Sequence, residues 1–468
     1  MYDFGLLNPV WAGTRAAELT SDAAFGQALL DVEAAWCRAQ VNFGTAPAKI
    51  NAAVSAASDI TDYDLAAIAK ATPDGANALI PLLKALRGKV AALDPDAEQY
   101  VHRGATSQDV IDTALLLLAA HTGRHILTHV RTTVRHLLEL AAQHANTVMI
   151  GRSLDQHAQP ITFGYRVSQW VDALGSAGQH FEQLLNQIPI QWGGAVGTSS
   201  WWVDYFKADQ PETDPMTLVK AQRELLANEL ELNPAEAWHA NRMPVLQLSQ
   251  TAFQIIAAAA KLANDVLTSV QAENQELAEP RKPGRGGSSA MPHKNNPVLS
   301  IRIKNASQAA SGAMDALHTG IIANTAERPD GGWHTEWAAF RDLLRTTGAV
   351  TEILAELSAD LQVNPAAMRR NLAIHGNYIF VGRLSQWLAP VAEASGVADS
   401  GAGKQWVEAT CNAAIAKNAD LAQTLATQLP DDVVSVADVN KMLEPSGFTG
   451  GAASIVAAVD SRYRKWSS

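Results

Sequence analysis

The segment GRGGSSAMPHKNNP, residues 284–297, combines residue types that suit a mobile loop with chemistry in it. Its glycines give the backbone freedom to move, and its prolines fix positions where regular structure cannot form. The cationic cluster in and just before this segment consists of Arg281, Lys282, Arg285, His293 and Lys294. Because the whole chain has a net charge of −11, a local basic cluster is informative, although a solvated loop is the alternative interpretation.

Two further polar segments interrupt apolar stretches: HRGATSQD at 102–109 and GRSLDQHAQP at 151–160. Hydroxyl groups and backbone N–H groups at helix starts are suited to holding carboxylates. Taken singly, each segment would be an ordinary helix cap. Together with the basic loop they predict an anion site, whereas the acidic overall charge argues against a nucleic-acid or acidic-membrane surface.

Other chemistries find less support. His121, His125 and His129 follow one stripe of a predicted helix, but no acid or thiol is interleaved at matching positions, so a polar face is favoured over a metal site. The serines lack the G-x-S-x-G pattern of a nucleophile elbow. The GRGG sequence also lacks the G-K-S/T of a phosphate-binding loop. No metal is therefore predicted.

Apolar residues recur at helical spacing along nearly the whole chain, and no comparable period-two runs occur. The spacing predicts long helices at 109–146, 161–187, 243–278, 297–322 and 337–361. These helices predict an elongated central bundle between two smaller helical domains, with the divisions 1–103, 104–361 and 362–468. The alanine-rich face at 255–263 suggests close packing, including packing against other subunits.

The chain has two cysteines and no run of about 18 apolar residues, and its first residues do not form a signal peptide. A soluble, cytoplasmic protein without disulfides is expected.

The segment GGSSAMPHKNNP resembles the signature of the fumarase/aspartase superfamily, G-S-S-x-M-P-x-K-x-N-P. The matching residues are Gly287, Ser288, Ser289, Met291, Pro292, Lys294, Asn296 and Pro297. GATSQD and GRSLDQHAQP are similar to the superfamily's other two shared segments, in the same order. The resemblance implies an all-α homotetramer of three-domain subunits with a twenty-helix core, active sites shared between subunits, and no metal or organic cofactor. It implies a small polycarboxylate substrate, and no nucleic-acid or membrane partner.

The resemblance also implies roles for individual residues. Ser288 would transfer the proton to or from carbon, Lys294 and Asn296 would hold a substrate carboxylate, and His157 matches the general acid of adenylosuccinate lyases. Further substrate-binding residues would be Thr106, Ser107, Gln156, Ser289 and Met291. The candidates for an additional carboxylate are Arg242, Arg328, His239 and His334, while Trp238, Trp333 and His102 are either core residues or substrate contacts.

Two departures indicate the branch of the superfamily. Adenylosuccinate lyases usually carry a His-Asp pair where this chain has Tyr63 and Asp64, and a glutamate where it has Ile301. The chain instead resembles bacterial 3-carboxy-cis,cis-muconate cycloisomerases in the segment 63–86, in AWHANR at 237–242 and in GWHTEW at 332–337. That resemblance implies closure of a linear tricarboxylate into a carboxymuconolactone through an aci-carboxylate carbanion, in protocatechuate breakdown. A fumarate-releasing lyase similar to adenylosuccinate lyase is the alternative, and a catalytically silent structural protein is a third possibility.

The glutamate's absence has a chemical consequence. In the reverse of lactone formation the leaving group is a carboxylate, whose conjugate acid has a pKa of about 4, so it leaves without being protonated. We therefore expect His157 to orient or hydrogen-bond the attacking carboxylate rather than to donate a proton. We also expect Lys294, Arg285, His293 and the helix start after Pro297 to supply the positive potential that activates Ser288.

Overall fold

The computed structural model describes residues 4–430 and 432–468 and consists largely of α-helices. The helices before the hairpin are α1 Arg15–Leu19, α2 Asp22–Phe43, α3 Ile50–Ala57, α4 Leu65–Gly75, α5 Leu79–Leu93 and α6 Ser107–Gln143. The long and short helices that follow are α7 Phe163–Leu185, α8 Ser200–Asp209, α9 Pro215–Glu229, α10 Met243–Ser269, α11 Val298–Ile322 and α12 Gly331–Ala359. The last helices are α13 Pro365–Leu372, α14 Val381–Ala394, α15 Gly403–Ala416, α16 Leu421–Ala426, α17 Val436–Leu443 and α18 Ala452–Ser467.

The predicted all-α class is confirmed, with short strands as its only addition in the described residues. The strands are β1 Val148–Ser153, β2 Gln156–Thr162, β3 Leu277–Ala278 and β4 Gln362–Val363. The chain groups into two compact units, the first of residues up to 130, 176–260 and 301–355, and the second of 131–175, 261–300 and 356–468. The division at 103 and 361 and the homotetramer stay predictions.

The long helix α6 begins at Ser107, two residues before the predicted start, and ends at Gln143. At 37 residues it is about 55 Å long. Its start is defined by Asp109, whose carboxylate accepts the backbone N–H of Thr106 at 3.0 Å. A side chain that satisfies a backbone N–H at a helix start stabilises that start, so the sequence TSQD fixes where α6 begins.

The core of the first unit includes a cluster of tryptophans behind the start of α6. Trp36 is fully buried on α2, and its ring lies 4.7 Å from Trp192 and 5.4 Å from Trp202, measured between centroids. Its indole N–H donates to the carbonyl of Arg103 at 2.9 Å. A rigid aromatic cluster therefore supports the loop that leads into α6.

The second unit contains an antiparallel hairpin where a polar loop was predicted. β1 and β2 pair from Val148↔Thr162 to Ser153↔Gln156, and the two-residue turn between them is Leu154 and Asp155. Both turn residues have positive φ, 51° and 61°, as a primed hairpin turn requires. The sequence did not reveal the hairpin because leucine is rare at positive φ and a bulge between Ile150 and Arg152 interrupts the alternation.

The carboxyl-terminal part of the second unit has a core of its own. Buried apolar side chains from α14 to α17 pack together there, among them Leu384, Leu388, Val407 and Leu425. The last helix, α18, is anchored by Tyr463, whose hydroxyl donates to the carboxylate of Asp172 at 3.0 Å. Each element of this region thus buries one apolar face, as amphipathic helices do.

The histidine stripe on α6, His121, His125 and His129, makes a polar contact through His125. His125 Nε2 lies 2.8 Å from Glu352 Oε1, which also accepts the backbone N–H of Ala16 at 3.0 Å. Among the described residues, no group of three or more His, Cys, Asp or Glu side chains could hold a metal ion. In the same part of the chain no helix is both long and apolar enough to cross a bilayer.

Candidate active site

The predicted site residues fall into both compact units, and each set is described by itself. The set in the first unit consists of Thr106, Ser107, Arg242 and Arg328. The set in the second unit consists of Gln156, His157, Ser288, Ser289, Met291, Lys294 and Asn296.

In the first unit the structure brings together two of the predicted substrate-binding residues, Thr106 and Arg328. Arg328 Nη1 donates to Thr106 Oγ1 at 2.7 Å, and the guanidinium lies 5.9 Å from the ring centroid of Trp333. Arg328 is exposed, and no carboxylate of the described residues forms an ion pair with it. Since the threonine hydroxyl accepts from Arg328, its own hydrogen remains for a ligand, so the pair is suited to a substrate carboxylate.

Asp109 holds this pair in place, although it was not predicted as a site residue. Its carboxylate is fully buried. The donors to its two oxygens are Thr106 N, Gly194 N, Gly193 N, Gln191 Nε2 and His239 Nε2, at 2.9–3.2 Å. One carboxylate therefore joins the start of α6 to the glycine turn at 193–194, and it positions Thr106.

Arg242 does not lie where a substrate could reach it, which corrects its predicted role. Its side chain is buried, and it forms ion pairs with Asp112 at 2.6 Å and Glu336 at 2.9 Å. Nε and both Nη atoms all donate to these carboxylates, and Nη1 also donates to the carbonyl of His239. With all five guanidinium N–H groups directed to protein acceptors, Arg242 has none for a substrate carboxylate.

The aromatic and histidine candidates of the first unit also prove structural. The indole N–H groups of Trp238 and Trp333 donate to Ile190 O at 2.9 Å and to Asp112 Oδ1 at 2.8 Å, and both rings are buried. His102 Nδ1 lies 2.6 Å from the buried Glu33 carboxylate. These contacts favour core packing over substrate contact for all three residues.

In the second unit, hydrogen bonds between Asn296 and Gly286 join the two ends of the signature loop and form its neck. The backbone N–H and the side-chain amide of Asn296 both donate to the carbonyl of Gly286, at 2.8 and 3.0 Å. Gly286 has φ +71°, and a Cβ there would lie 2.6 Å from the carbonyl oxygen of Asn296, so only glycine fits. Ser288 Oγ accepts the N–H of Met291 at 3.2 Å. The neck therefore occupies one amide hydrogen of Asn296, which leaves the other for a ligand.

Two of the expected sources of positive potential at Ser288 are already neutralised. Arg285 forms an ion pair with Glu356, and the carboxylate of Glu279 accepts the N–H groups of Leu299 at 3.0 Å and Ser300 at 2.7 Å at the start of α11. Glu279 is buried just before the loop, and its hydrogen bonds to Leu299 and Ser300 hold the residues before and after the loop together. The expectation that Arg285 and the start of α11 activate Ser288 is wrong for this conformation.

Lys294 and His293 are the remaining candidates from that set. Both are exposed, and in the described part of the chain no acidic side chain pairs with either. The positive charge of Lys294 is therefore available to a bound carboxylate or to a developing negative charge on the serine.

His157 lies on β2 opposite Arg152. Its Nδ1 atom is buried and has no hydrogen-bond partner among the described residues. Arg152 is itself held by a double hydrogen bond to the buried Glu276, at 3.1 and 2.9 Å. The imidazole of His375 contacts the His157 ring edge to face, with the centroids 5.0 Å apart.

Burial lowers the pKa of His157 from its usual 6.5, and the positive charges of Arg152 and His375 lower it further, while Glu276 opposes them. His157 is therefore a neutral imidazole near pH 7. No carboxylate hydrogen-bonds to its ring within the described residues, in agreement with the isoleucine found at position 301.

Sequence reasoning missed Asp109, Glu279 and His375. Asp109 follows Thr106 by three residues in a capping-box pattern, which could have identified it. Glu279 precedes the helix it caps by about 20 residues, and His375 lies more than 200 residues from its neighbour His157. Contacts between residues so far apart in the chain cannot be predicted from a local sequence pattern.

The fold and the match to a family model make the chain an enzyme of the lyase superfamily. Residues 10–312 match the family model described as Lyase, and the chain belongs to this family of the fumarase/aspartase superfamily. The resemblance inferred from the signature loop is thereby confirmed.

Particular relatives are of two kinds. The chain is 35% identical to nitrosuccinate lyase of Streptomyces davaonensis over 97% of this chain and 94% of that protein. It is 31% identical to 3-carboxy-cis,cis-muconate cycloisomerase of Bradyrhizobium diazoefficiens over 96% of each. The crystal structure of the 3-carboxy-cis,cis-muconate lactonizing enzyme from Pseudomonas putida superposes with a TM-score of 0.86, at 29% identity over 99% of this chain and 100% of that chain.

Proposed function

We propose that this enzyme closes 3-carboxy-cis,cis-muconate into a carboxymuconolactone and catalyses the reverse opening. The observation that carries the proposal is the environment of His157, an imidazole with a lowered pKa to which no acidic side chain of the described residues is hydrogen-bonded. Such a group is poorly suited to protonate a basic leaving group, but lactone opening releases a carboxylate, which needs no proton. The relatives named muconate cycloisomerases or lactonizing enzyme support the particular substrate.

In the closing direction, one carboxylate oxygen of the substrate forms a C–O bond to an alkene carbon. The electron pair of the alkene moves to the neighbouring carbon and delocalises into its carboxylate as an aci-carboxylate. The hydroxyl of Ser288 then gives its proton to that carbon, which completes the C–H bond, and the serine alkoxide recovers a proton from solvent. Atoms and charges balance without an oxidant, a reductant or another reactant.

The other residues stabilise this charge. Lys294 is placed in the same loop as Ser288 and is the cation we expect beside the aci-carboxylate. Within the first unit, Arg328 and Thr106 form a pair that suits a carboxylate. Closure of the loop about its Asn296–Gly286 neck would exclude water as the charge develops.

A second candidate is elimination of nitrite from nitrosuccinate, favoured by the 35% identity to nitrosuccinate lyase. Here the serine alkoxide would remove a proton from carbon, the electron pair would form the alkene, and nitrite would leave as an anion to give fumarate. Nitrite, like a carboxylate, leaves without protonation, so the environment of His157 fits both reactions. The two candidates thus share their chemistry and differ in substrate.

The purified enzyme should be given each substrate separately. We expect the absorbance of 3-carboxymuconate to fall with formation of lactone, and no nitrite to appear from nitrosuccinate in a colorimetric nitrite assay. Nitrite release with no consumption of 3-carboxymuconate would replace the first proposal by the second. Release of AMP from adenylosuccinate would contradict both.

A further inference from the structure

A tricarboxylate substrate needs a group for its extra carboxylate, and most of the predicted candidates are occupied. Arg242 has every N–H directed to protein acceptors, and His239 is buried against Asp109. The ring of His334 lies between Trp333 and Trp337, and its Nδ1 is 2.9 Å from the carbonyl of Asp330. Of those four candidates, only Arg328 in the first unit has N–H groups available for a substrate carboxylate.

A candidate in the second unit is His375, which immediately precedes a short 3-10 helix, Gly376–Phe380. Its side chain is exposed, and its ring meets that of His157 edge to face, at 5.0 Å between centroids and 86° between planes. The two imidazoles therefore share one surface of the unit. No family signature or sequence motif marks this residue.

The charged groups beside the two rings are already paired with each other. The guanidinium of Arg152 is matched by the carboxylate of Glu276, which also accepts the amide of Asn371 at 3.0 Å. Within the described residues no acidic side chain forms an ion pair with His375. The imidazole is thus free to hydrogen-bond a ligand, and no adjacent ion pair competes for it.

The burial of Nδ1 determines which nitrogen of His157 can contact a ligand. Because that nitrogen faces the protein interior without a partner, Nε2 is the atom through which His157 can reach a ligand. A carboxylate has two oxygens and can accept one N–H from each of two neighbouring rings. Two imidazoles in edge-to-face contact are therefore suited to one carboxylate.

We propose that His375, with His157, binds the additional carboxylate of the substrate, in place of the attacking carboxylate expected as the partner of His157 from the sequence, and so selects a tricarboxylate over a dicarboxylate. The inference rests on the proposed function, because only a substrate with three carboxylates requires this contact. His375 acts here as a specificity-determining residue, whereas Ser288 and Lys294 act on the reacting carbon.

Calorimetric binding of two inert ligands tests the proposal. Tricarballylate is glutarate with one additional carboxylate on its central carbon, so their affinity ratio isolates that group. We expect His375→Gln to weaken tricarballylate about tenfold, or about 1.4 kcal/mol, and to leave glutarate within twofold of wild type. Ile374→Ala is the matched control, because it truncates the neighbouring exposed side chain, and it should leave both affinities unchanged.

His375→Arg should restore most of the tricarballylate affinity by returning a side-chain N–H donor with a positive charge of its own. Thermal melts by circular dichroism verify that each variant is folded, and His375→Asn substitutes for the glutamine variant if that one is not. Equal binding of both ligands by wild type and His375→Gln would overturn the proposal, as would an equal loss for both ligands. If wild type prefers tricarballylate through His375 but does not consume 3-carboxymuconate, the proposed function fails and the carboxylate site stands.

Discussion

The substitution Asp109→Asn tests whether one buried carboxylate sets the position of Thr106. Asp109 accepts hydrogen bonds at both oxygens, three at Oδ1 and two at Oδ2. An asparagine keeps the Oδ1 set only if its NH₂ group takes the place of Oδ2. That NH₂ would then face the N–H groups of Thr106 and Gly194, so two charge-assisted bonds are lost.

Hydrogen bonds to a charged group contribute about 1.5–3 kcal/mol each, so the substitution should lower the free energy of unfolding by about 3–6 kcal/mol. Urea unfolding at fixed protein concentration measures this loss. The exposed cap Asp64 provides the control, because within the described residues its side chain accepts a hydrogen bond only from the N–H of Ala67, at 3.0 Å. Asp64→Asn should change stability by less than about 0.5 kcal/mol, because asparagine caps helices nearly as well as aspartate.

Asp109→Asn should also raise KM more than it lowers kcat, since Thr106 would lose its position as a substrate ligand. A variant within about 1 kcal/mol of wild type, with an unchanged KM, would refute the assignment of Asp109 as the residue that positions Thr106.

Three further predictions concern other charged groups. Because the pKa of His157 is lowered in the folded protein, the unfolded chain binds a proton at this histidine first as the pH falls; the contribution of the neutral ring to stability is therefore present above about pH 6.5 and is lost as the pH falls below that value. If the neutral ring is the active form, kcat/KM should be flat from pH 7 to 8 and fall on the acid side. A fall on the alkaline side instead would show His157 acting as an acid. Glu279→Gln should weaken the hydrogen bonds that its side chain accepts from the N–H groups of Leu299 and Ser300 by about 1 kcal/mol, and it should speed tryptic cleavage after Arg285 and Lys294. Unchanged cleavage would show that these hydrogen bonds do not restrain the loop. Arg242→Met should destabilise the protein by about 3–5 kcal/mol, because it leaves the carboxylates of Asp112 and Glu336 buried without a compensating positive charge, and a thermal midpoint equal to that of wild type would contradict this.

The features that the sequence predicted correctly are the local and periodic ones. The long helix α6 was predicted at 109–146 and lies at Ser107–Gln143, because a 3.6-residue apolar repeat persists over that whole length. The signature loop was found because its glycines, prolines and charged residues are contiguous. Helix periodicity and a contiguous motif are both visible without knowledge of the tertiary structure.

The errors arise from contacts between distant segments. Arg242 looked available as a substrate ligand, yet Asp112, 130 residues before it, and Glu336, 94 residues after it, take up its donors. Arg285 and the start of α11 looked like sources of positive potential, yet Glu356 and Glu279 neutralise them. Charge type can be obtained from a sequence, whereas the pairing of charges depends on the fold.

The hairpin at 148–162 shows a different limit. Its turn places Leu154 and Asp155 at positive φ, which aspartate tolerates but leucine rarely adopts. Strand pairing across that turn outweighs the local preference of Leu154, so the segment could not be recognised from composition alone.

The central claim, that Ser288 transfers a proton to carbon, is tested most directly by turnover of 3-carboxymuconate in D₂O by wild type and Ser288→Ala. The wild-type lactone should contain one carbon-bound deuterium by mass spectrometry. Ser288→Ala should bind tricarballylate as wild type does and lose about 10²–10⁴-fold in kcat, the contribution typical of a general acid or base. A Ser288→Ala enzyme that forms the deuterated lactone within tenfold of the wild-type rate would contradict the claim.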